Sequence, residues 1–418
     1  MHGVSEAAAL ITAAATPLPA EPTSLAESLG RVLATEIRSP ITLPHATNSA
    51  MDGYAVRGGD VAGASETAPV TLRVLETVAA GAFPTRAVGA GEATRIMTGA
   101  PLPEGADSVI RVEDTDAGVS QVAIRKDRDV GKNFRLRGED LVEGGVALPA
   151  GMPLGAAQLG VLASIGQSVV PTHRRPRVAI LGSGDELVDL DRFDEVRAGR
   201  KIVSSNAYTL DALVRLTGGV PIGLGHAADT PDAMRALLQR AIDAAPDLIV
   251  TSAGVSVGEF DHTRTALESL GAEMLISRVR MRPGAPIGFG RVHGIPWIGL
   301  PGNPVSVMVT FELFVRPVIR RMLGHTRLHR RPVRVTLEEP VRIGARLTHF
   351  LRAIVTTQPD GTLTARLTGP QGSGILTSMS LANALLVVPE DRSEVPAGAS
   401  LHALLLTEDA GLAEGFAL

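Results

Sequence analysis

The sequence predicts a multidomain protein of mixed α+β and α/β class: a helical or linker domain, a β-rich domain inserted beside it, a central α/β domain with a mostly parallel sheet, and a C-terminal β-barrel. Three observations predict this. The chain has 418 residues, too many for one core when domains usually run to about 100–200 residues. From Arg175 to Leu323, strand-like runs alternate with helical patterns of ten or more residues, the signature of a parallel sheet. Short β-type runs separated by Gly and Pro fill the stretches on either side. The pattern changes put the domains at residues 1–56 with 139–173, 57–138, 174–327 and 328–418.

The elements follow in order. The first 35 residues carry two helical patterns, one N-capped by Ser5 and one opening at Thr23-Ser24 with Leu25, Leu29, Val32 and Leu33 on one face. TLRVLETV, ATRIMTG, DSVIRVED and QVAIRK then read as strands. Gly144 to His173 holds no Asp, Glu, Lys or Arg, but Pro149, Pro153, Gln158, Gln167 and repeated Gly interrupt it. A short buried helix over Pro153–Ile165 fits this better than a membrane span. RVAILGSG is a strand running into a loop, SSNAYTLDALVRLTG and TPDAMRALLQRAIDAAP are helices, and DLIVTSAG is a strand. A helix near Val305–Leu323 closes the α/β unit. VRVTLEE, HFLRAIVTTQ, TLTARLT, ALLVVPE and SLHALLL are strands, with Asp360-Gly361 as a hairpin turn.

Composition excludes several classes. A net charge of −4 with both signs dispersed, and only 3% aromatic residues, leaves no basic stripe and few stacking groups for nucleic acid. The absence of cysteine excludes disulfides, thiolate metal sites and a cysteine nucleophile, and points to the cytoplasm. No Lys or Arg precedes Arg31, so the basic region of a signal peptide is missing.

Ligands bind at the carboxyl ends of strands in an open parallel sheet. One such end is Leu181-Gly182-Ser183-Gly184-Asp185-Glu186, a tight turn with two acids at its tip. Another runs from Thr251 to Asp261, where Gly and Ser could cradle a phosphate while Glu259 and Asp261 hold a metal. Either loop alone is equally readable as a helix cap. Asn48-Ser49-Ala50-Met51-Asp52-Gly53-Tyr54-Ala55 lies where the helical and β-rich patterns meet, and holds one of two tyrosines. Arg135-Leu136-Arg137-Gly138-Glu139-Asp140 lies at the other junction, where a solvated charged turn is the plain alternative. Leu300-Pro301-Gly302-Asn303-Pro304 precedes a helix, as punctuation or as a binding wall.

Taken together, NSAMDGYA, RIMTGAPLPEGAD, FRLRGED, LGSGDEL, AGVSVGEFD, RMRPGAP, LPGNPVS and SMSLANAL occur in the order and approximate spacing of one family. Over nearly its whole length the chain resembles the molybdopterin molybdenumtransferases, the bacterial MoeA proteins and the E domain of gephyrin. The resemblance implies a molybdopterin-binding type of central domain and an elongated homodimer. It implies a site formed by the α/β domain of one subunit with the second and neighbouring domains of the other. The reaction it implies joins adenylylated molybdopterin and molybdate, releases AMP and leaves molybdenum on the pterin dithiolene.

Carried over by motif, the resemblance makes Asp52, Thr98, Asp140, Asp185, Glu186 and Asp261 the catalytic candidates. Glu186 and Asp261 would hold Mg²⁺, because two anions are brought together most readily across a divalent cation. Ser183, Gly254, Ser256, Gly258, Arg278 and Arg282 would bind substrate, as would Pro301, Asn303, Pro304 and Ser378. An adenylyltransferase is an implied partner; nucleic acid and membrane are not. Ala253 stands where relatives usually have Gly, Ser204 where they usually have an acid, Ala285 where Lys is common, and Arg278 and Arg282 where relatives commonly have Lys. Two other readings are a protein that only binds or adenylylates molybdopterin, which a lone α/β domain would suffice for, and a non-catalytic scaffold of the same fold.

Overall fold

A computed structural model describes residues 1–254, 262–344 and 346–407. Its contacts divide the chain into two units: residues 35–150 with 156–168, and residues 1–34 with 151–155 and those from Val169 onward.

The first of these is built on a five-stranded sheet of β1 (Gly53–Val56), β2 (Val70–Val78), β3 (Glu92–Ile96), β4 (Ser108–Arg111) and β5 (Gln121–Ile124), in the order β4-β1-β3-β2-β5. The four strands expected from their β-type runs all form. β1 opens four residues ahead of Arg57, where the β-rich domain was expected to begin, and takes a central place. Its alternation explains why: Tyr54 and Val56 join a buried cluster with Leu72, Ile110 and Ile124, and Ala55 joins another with Ile96 and Val109. Gly53 is required there, since a Cβ would lie 2.1 Å from the Ile110 carbonyl oxygen. Besides the single turn of helix at Gly58–Val61, this unit has a helix at Ala156–Ser164, shorter than expected, with Leu162 its buried residue. It is therefore a partly exposed helix rather than a buried one.

In the other unit the first helix covers Val4–Ala13 and begins after Gly3, whose N–H donates to Glu6 Oε2 at 3.2 Å; Ser5 does not cap it. The second expected helix does not form. Ala20–Ser24 is instead a strand paired antiparallel with Val169–His173, followed by a single 3-10 turn at Leu25–Glu27. Tertiary pairing overrides the local apolar spacing. The Thr23 and Thr172 hydroxyls meet in the interior at 2.7 Å, and the Gly30 and Leu33 N–H groups donate to the Leu154 and Met152 carbonyls.

The central sheet contains β6 (Arg177–Ser183), β7 (Val220–Ala227), β8 (Leu248–Ser252), β9 (Glu273–Ile276), β10 (Gly288–Val292) and β11 (Ile295–Leu300), ordered β7-β6-β8-β11-β10-β9. β7, β6, β8 and β11 run parallel, and β10 and β9 add an antiparallel edge. Both faces are covered, which is why the strands read as continuous apolar runs. Val178 and Ile180 pack with Leu210, Val214 and Phe314 on one face; Ala179 and Leu181 pack with Met234, Leu238 and Trp297 on the other.

The helix expected near Val305–Leu323 is observed from Pro304 to Met322, with its middle turn, Phe311–Val315, widened to π geometry. After it, β12 (Val333–Leu337), β13 (Thr348–Thr357), β14 (Leu363–Leu367), β15 (Ala384–Val388) and β16 (Ser400–Leu405) close on themselves as β13-β14-β12-β16-β15-β13. This is the expected barrel. Val335, Leu351, Ala353, Val355, Leu386 and Ala403 fill it. Asp360-Gly361 turns the β13–β14 hairpin, with Gly361 at φ 81°.

Beyond Met322 the chain places His325 among the Arg316 and Arg320 guanidiniums. Burial, then those two charges, push the imidazole down to about 4 from 6.5. The unfolded chain therefore binds more protons between these values, so this contribution is complete above pH 6.5 and is lost as pH falls towards 4. Its ceiling is about 3 kcal/mol, less after solvent screening. We expect His325→Gln to flatten the acid limb of a melting-temperature profile between pH 4 and 6.5; an unchanged slope would assign the limb to other groups.

Candidate functional site

Two cavities of the larger unit share one wall. The first opens where β7 and β8 flank β6 on opposite sides, so the connections diverge and leave a crevice at the strands' carboxyl ends. Ser183 ends β6 and Ser252 ends β8, both buried. The cavity is about 310 Å³, lined by these serines with Glu186, Asn206, Asn303 and Pro304 among others. The Glu186 carbonyl accepts from the Ile202 N–H at 2.9 Å, but its carboxylate takes no hydrogen bond from any described donor, whereas its neighbour Asp185 is engaged. The Asp185 N–H donates to Asp229 Oδ2 at 3.3 Å and the Asp229 N–H to Asp185 Oδ1 at 3.1 Å, clamping the loops after β6 and β7; Lys201 Nζ donates to the Asp185 carbonyl. Asn206 Nδ2 donates to the Gly302 carbonyl at 2.7 Å, tying the first turn of helix Ser205–Thr217 to the LPGNP loop.

At the end of β8 the chain turns through Ala253 (φ 72°) and Gly254 (φ 70°). A Cβ on Gly254 would lie 2.0 Å from Thr263 Oγ1, so glycine is needed there, while Ala253 carries left-handed strain that glycine would not. Ala253→Gly should stabilise the protein by about 0.5–1 kcal/mol after the entropic cost of glycine, read as a raised denaturation midpoint. A lowered midpoint would mean that the Ala253 methyl contributes packing worth more than the strain.

The second cavity, about 640 Å³, is lined by Arg282, Arg342, His349, Arg352, Pro301 and Asn303 among others. Arg352 is fully buried, with no carboxylate partner among the described residues. Its Nε donates to Ser378 Oγ at 2.9 Å, and its terminal nitrogens donate to the Gln371, Pro370 and Gly372 carbonyls at 2.9–3.3 Å. Burial lowers its proton affinity, and it lowers that of His349 too; a guanidinium nonetheless stays charged. Arg282 is exposed at the mouth, and the short strand Met281–Arg282 is pinned to β13.

In the smaller unit, NSAMDGYA and RIMTGAP come together directly. Asp52 Oδ1 accepts from the Thr98 backbone N–H and hydroxyl, both at 2.7 Å, and the backbone bond, then the hydroxyl, hold its carboxyl below the ordinary value. FRLRGED is adjacent: Phe134–Arg135 pairs with Asn48–Ser49, and the Asp140 N–H donates to the Leu43 carbonyl, leaving its side chain exposed.

The structure thus gathers Ser183, Glu186, Asn303 and Pro304 in one cavity and Arg282, Pro301 and Asn303 in the other. Ser378 does not line either; it accepts from Arg352 and donates to the Ile375 carbonyl at 2.6 Å, so it positions that guanidinium. Arg278 is exposed and lines neither cavity. Ser256, Gly258 and Asp261 lie outside the described residues. Sequence reasoning missed Arg352, whose signal was a charge inside the apolar strand HFLRAIV, and Asp229, which gave no local signal.

Mg²⁺ takes oxygen ligands and commonly binds through one or two carboxylates plus substrate phosphate. Among the described residues no three carboxylates or imidazoles converge. The crevice does offer one free carboxylate, Glu186, and one buried oxygen without a donor, Asn206 Oδ1. That set fits a cation completed by substrate rather than a closed protein cage.

Three family models match: "MoeA N-terminal region (domain I and II)" over residues 2–166, "Probable molybdopterin binding domain" over 179–321 and "MoeA C-terminal region (domain IV)" over 334–406. The chain is 39% identical to molybdopterin molybdenumtransferase 2 of Mycobacterium tuberculosis (strain ATCC 25618 / H37Rv), over 92% of this chain and 94% of that one. It is 35% identical to the molybdopterin molybdenumtransferase of Bacillus subtilis (strain 168), over 93% and 90%. The crystal structure of the molybdopterin biosynthesis moeA protein of Pyrococcus horikoshii OT3 superposes with a TM-score of 0.79 at 28% identity, over 97% of this chain and 100% of that one. Matches of this extent, spanning both units and the barrel, make the chain a member of the MoeA family.

Proposed function

We propose that this protein inserts molybdenum into adenylylated molybdopterin and releases AMP, the last step of molybdenum cofactor assembly. The observation that carries this reading is the wall shared by the two cavities: Asn303 of LPGNP lines both, with a serine- and carboxylate-lined crevice on one side and an arginine-lined cavity on the other. The names of the relatives, molybdopterin molybdenumtransferases, support the same reading.

In this reading the crevice binds the phosphate-bearing substrate. Ser183 and Ser252 offer hydroxyls, and the first amides of helix Ser205–Thr217 face an anion favourably. Arg352 and Arg282 hold the tetrahedral molybdate in the neighbouring cavity, where a buried guanidinium without a carboxylate favours an oxyanion. Asp52, kept ionised by Thr98, orients the attacking oxygen. Mg²⁺ bound at Glu186 would neutralise charge on the phosphoanhydride. The attacking oxygen forms a new P–O bond as the phosphoanhydride bond breaks; AMP leaves with one phosphate, and the pterin keeps the other together with the dithiolene that takes molybdenum. No helix among the described residues is long and apolar enough to cross a membrane. We take the working form to be a cytoplasmic homodimer, which sedimentation tests.

The direct experiment incubates the protein with adenylylated molybdopterin, Mg²⁺ and molybdate or tungstate, following AMP and pterin-bound metal together. AMP release that requires the oxyanion supports insertion. Substrate binding without AMP release would move the protein to the binding-only or scaffold reading, and ATP consumption without molybdate to the adenylylating one.

A further inference from the structure

The arginine-lined cavity holds a buried imidazole that the reaction described above does not use. His349 is 4% exposed and lines the cavity. Its Nδ1 lies 2.8 Å from the Leu347 carbonyl oxygen. A carbonyl only accepts, so Nδ1 carries the proton of the neutral ring and Nε2 keeps a bare lone pair. Nε2 makes no hydrogen bond among the described residues and is not one of the sealed polar atoms of the chain. Strand pairing sets its neighbour: Arg282 and His349 are register partners in the parallel pair of Met281–Arg282 with β13, so their side chains stand on one face.

For a doubly charged oxyanion the cavity is short of donors. Arg352 makes four bonds to Ser378 and three carbonyls, which leaves one of its five N–H groups. Arg342 donates from Nε to Glu394 at 2.8 Å. Ala285, another lining residue, stands where Lys is common in relatives. No carboxylate is found among the described lining residues, and Val388, the partner of His349 on β15, is uncharged. The charged groups on the wall around the imidazole are therefore Arg282, Arg342 and Arg352, all cations. Burial holds His349 below its ordinary 6.5, the Leu347 carbonyl opposes this, and the Arg282 charge adds to it. A molybdate oxygen brought to the neutral Nε2 sets one lone pair against another. A proton between them turns that repulsion into a charge-assisted hydrogen bond.

We propose that His349 is a further oxyanion-binding residue of this cavity, its Nε2 taking up one proton from solvent as molybdate binds and donating it to an oxygen that Arg282 also holds; the proposal rests on the functional reading above. No covalent bond changes, and the proton returns to solvent when the oxyanion leaves. Affinity then falls with rising pH between the unliganded and liganded values of the imidazole, by up to about tenfold per pH unit, and is level outside them.

The test is a calorimetric titration of the full chain with molybdate over about pH 5–8, in pairs of buffers of different ionisation enthalpy, so that protons taken up are counted. Wild type should take up close to one proton per molybdate. His349→Asn keeps an amide N–H where Nδ1 donates to Leu347 and removes Nε2; uptake should vanish, the pH profile flatten, and binding at the acid end weaken roughly tenfold to a hundredfold. His349→Gln puts an uncharged donor near the place of Nε2 and should also abolish uptake. A merely structural role leaves the proton count unchanged, so uptake that persists in either folded variant overturns the proposal. Molybdate binding by wild type without proton uptake overturns it with no variant needed, and leaves the oxyanion cavity standing. If wild type binds no molybdate at any pH, the oxyanion reading of the cavity falls, and the role of His349 with it.

Discussion

Asp52→Asn lowers turnover by roughly 10²–10⁴-fold, the usual yield of a positioned acid or base, and leaves the melting transition in place. The geometry separates the two effects. Thr98 donates from its backbone and its hydroxyl to one Asp52 oxygen, and an asparagine carbonyl accepts both bonds unchanged. What disappears is the charge. Single-turnover AMP release alongside a thermal melt measures both quantities, and wild-type turnover in a folded variant would remove Asp52 from the chemistry. Thr98 holds the carboxyl below its ordinary value, so the charge persists to lower pH than on a free aspartate.

Arg352→Met is expected to cost the most stability, on the order of 3 kcal/mol or more. Its guanidinium satisfies the Ser378 hydroxyl and the Gln371, Pro370 and Gly372 carbonyls in the interior, and methionine satisfies none of them. Molybdate should also lose its ability to raise the melting temperature. Arg352→Lys separates the contributions: it retains the charge but not the planar fork, so oxyanion-dependent stabilisation returns in part while the urea midpoint stays low. If methionine leaves both the midpoint and the molybdate effect intact, the arginine-lined cavity is not the oxyanion site.

Much of the architecture was legible because period and punctuation agree with tertiary structure. RVAILGSG, DLIVTSAG and the five barrel strands lie where their apolar runs put them, and Asp360-Gly361 turns the hairpin it was expected to turn. The failures share one cause, a local signal outvoted by a distant partner. Leu25, Leu29, Val32 and Leu33 have helical spacing, yet Thr23 finds Thr172, 149 residues away, and the backbone follows it into a strand. Gly53–Val56 is not among the strand runs expected from the sequence, yet its glycine is what lets a strand cross Ile110 so closely. For the site, the motifs name Glu186 and the LPGNP wall, and both line the crevice. They could not separate Ser378, spent on an internal bond, from Ser183, which lines the crevice. That distinction depends on which side of a strand or turn faces a cavity, and no single motif encodes it.

The closed barrel has a consequence for behaviour at high concentration. Each of β12 to β16 has a neighbour on both sides, so no row of unpaired amides is left to recruit a strand from another molecule. The five-stranded sheet of the smaller unit ends in β4 and β5, with no further strand beyond either. At those margins Arg111 of β4 is paired with the buried Asp129, and Lys126, just past β5, with Glu66, so charge is held there in ion pairs, and charged margins are a usual safeguard against edge-to-edge aggregation. The central sheet also ends openly, in β7 and β9, so strand addition finds margins there and in the smaller unit but none in the barrel.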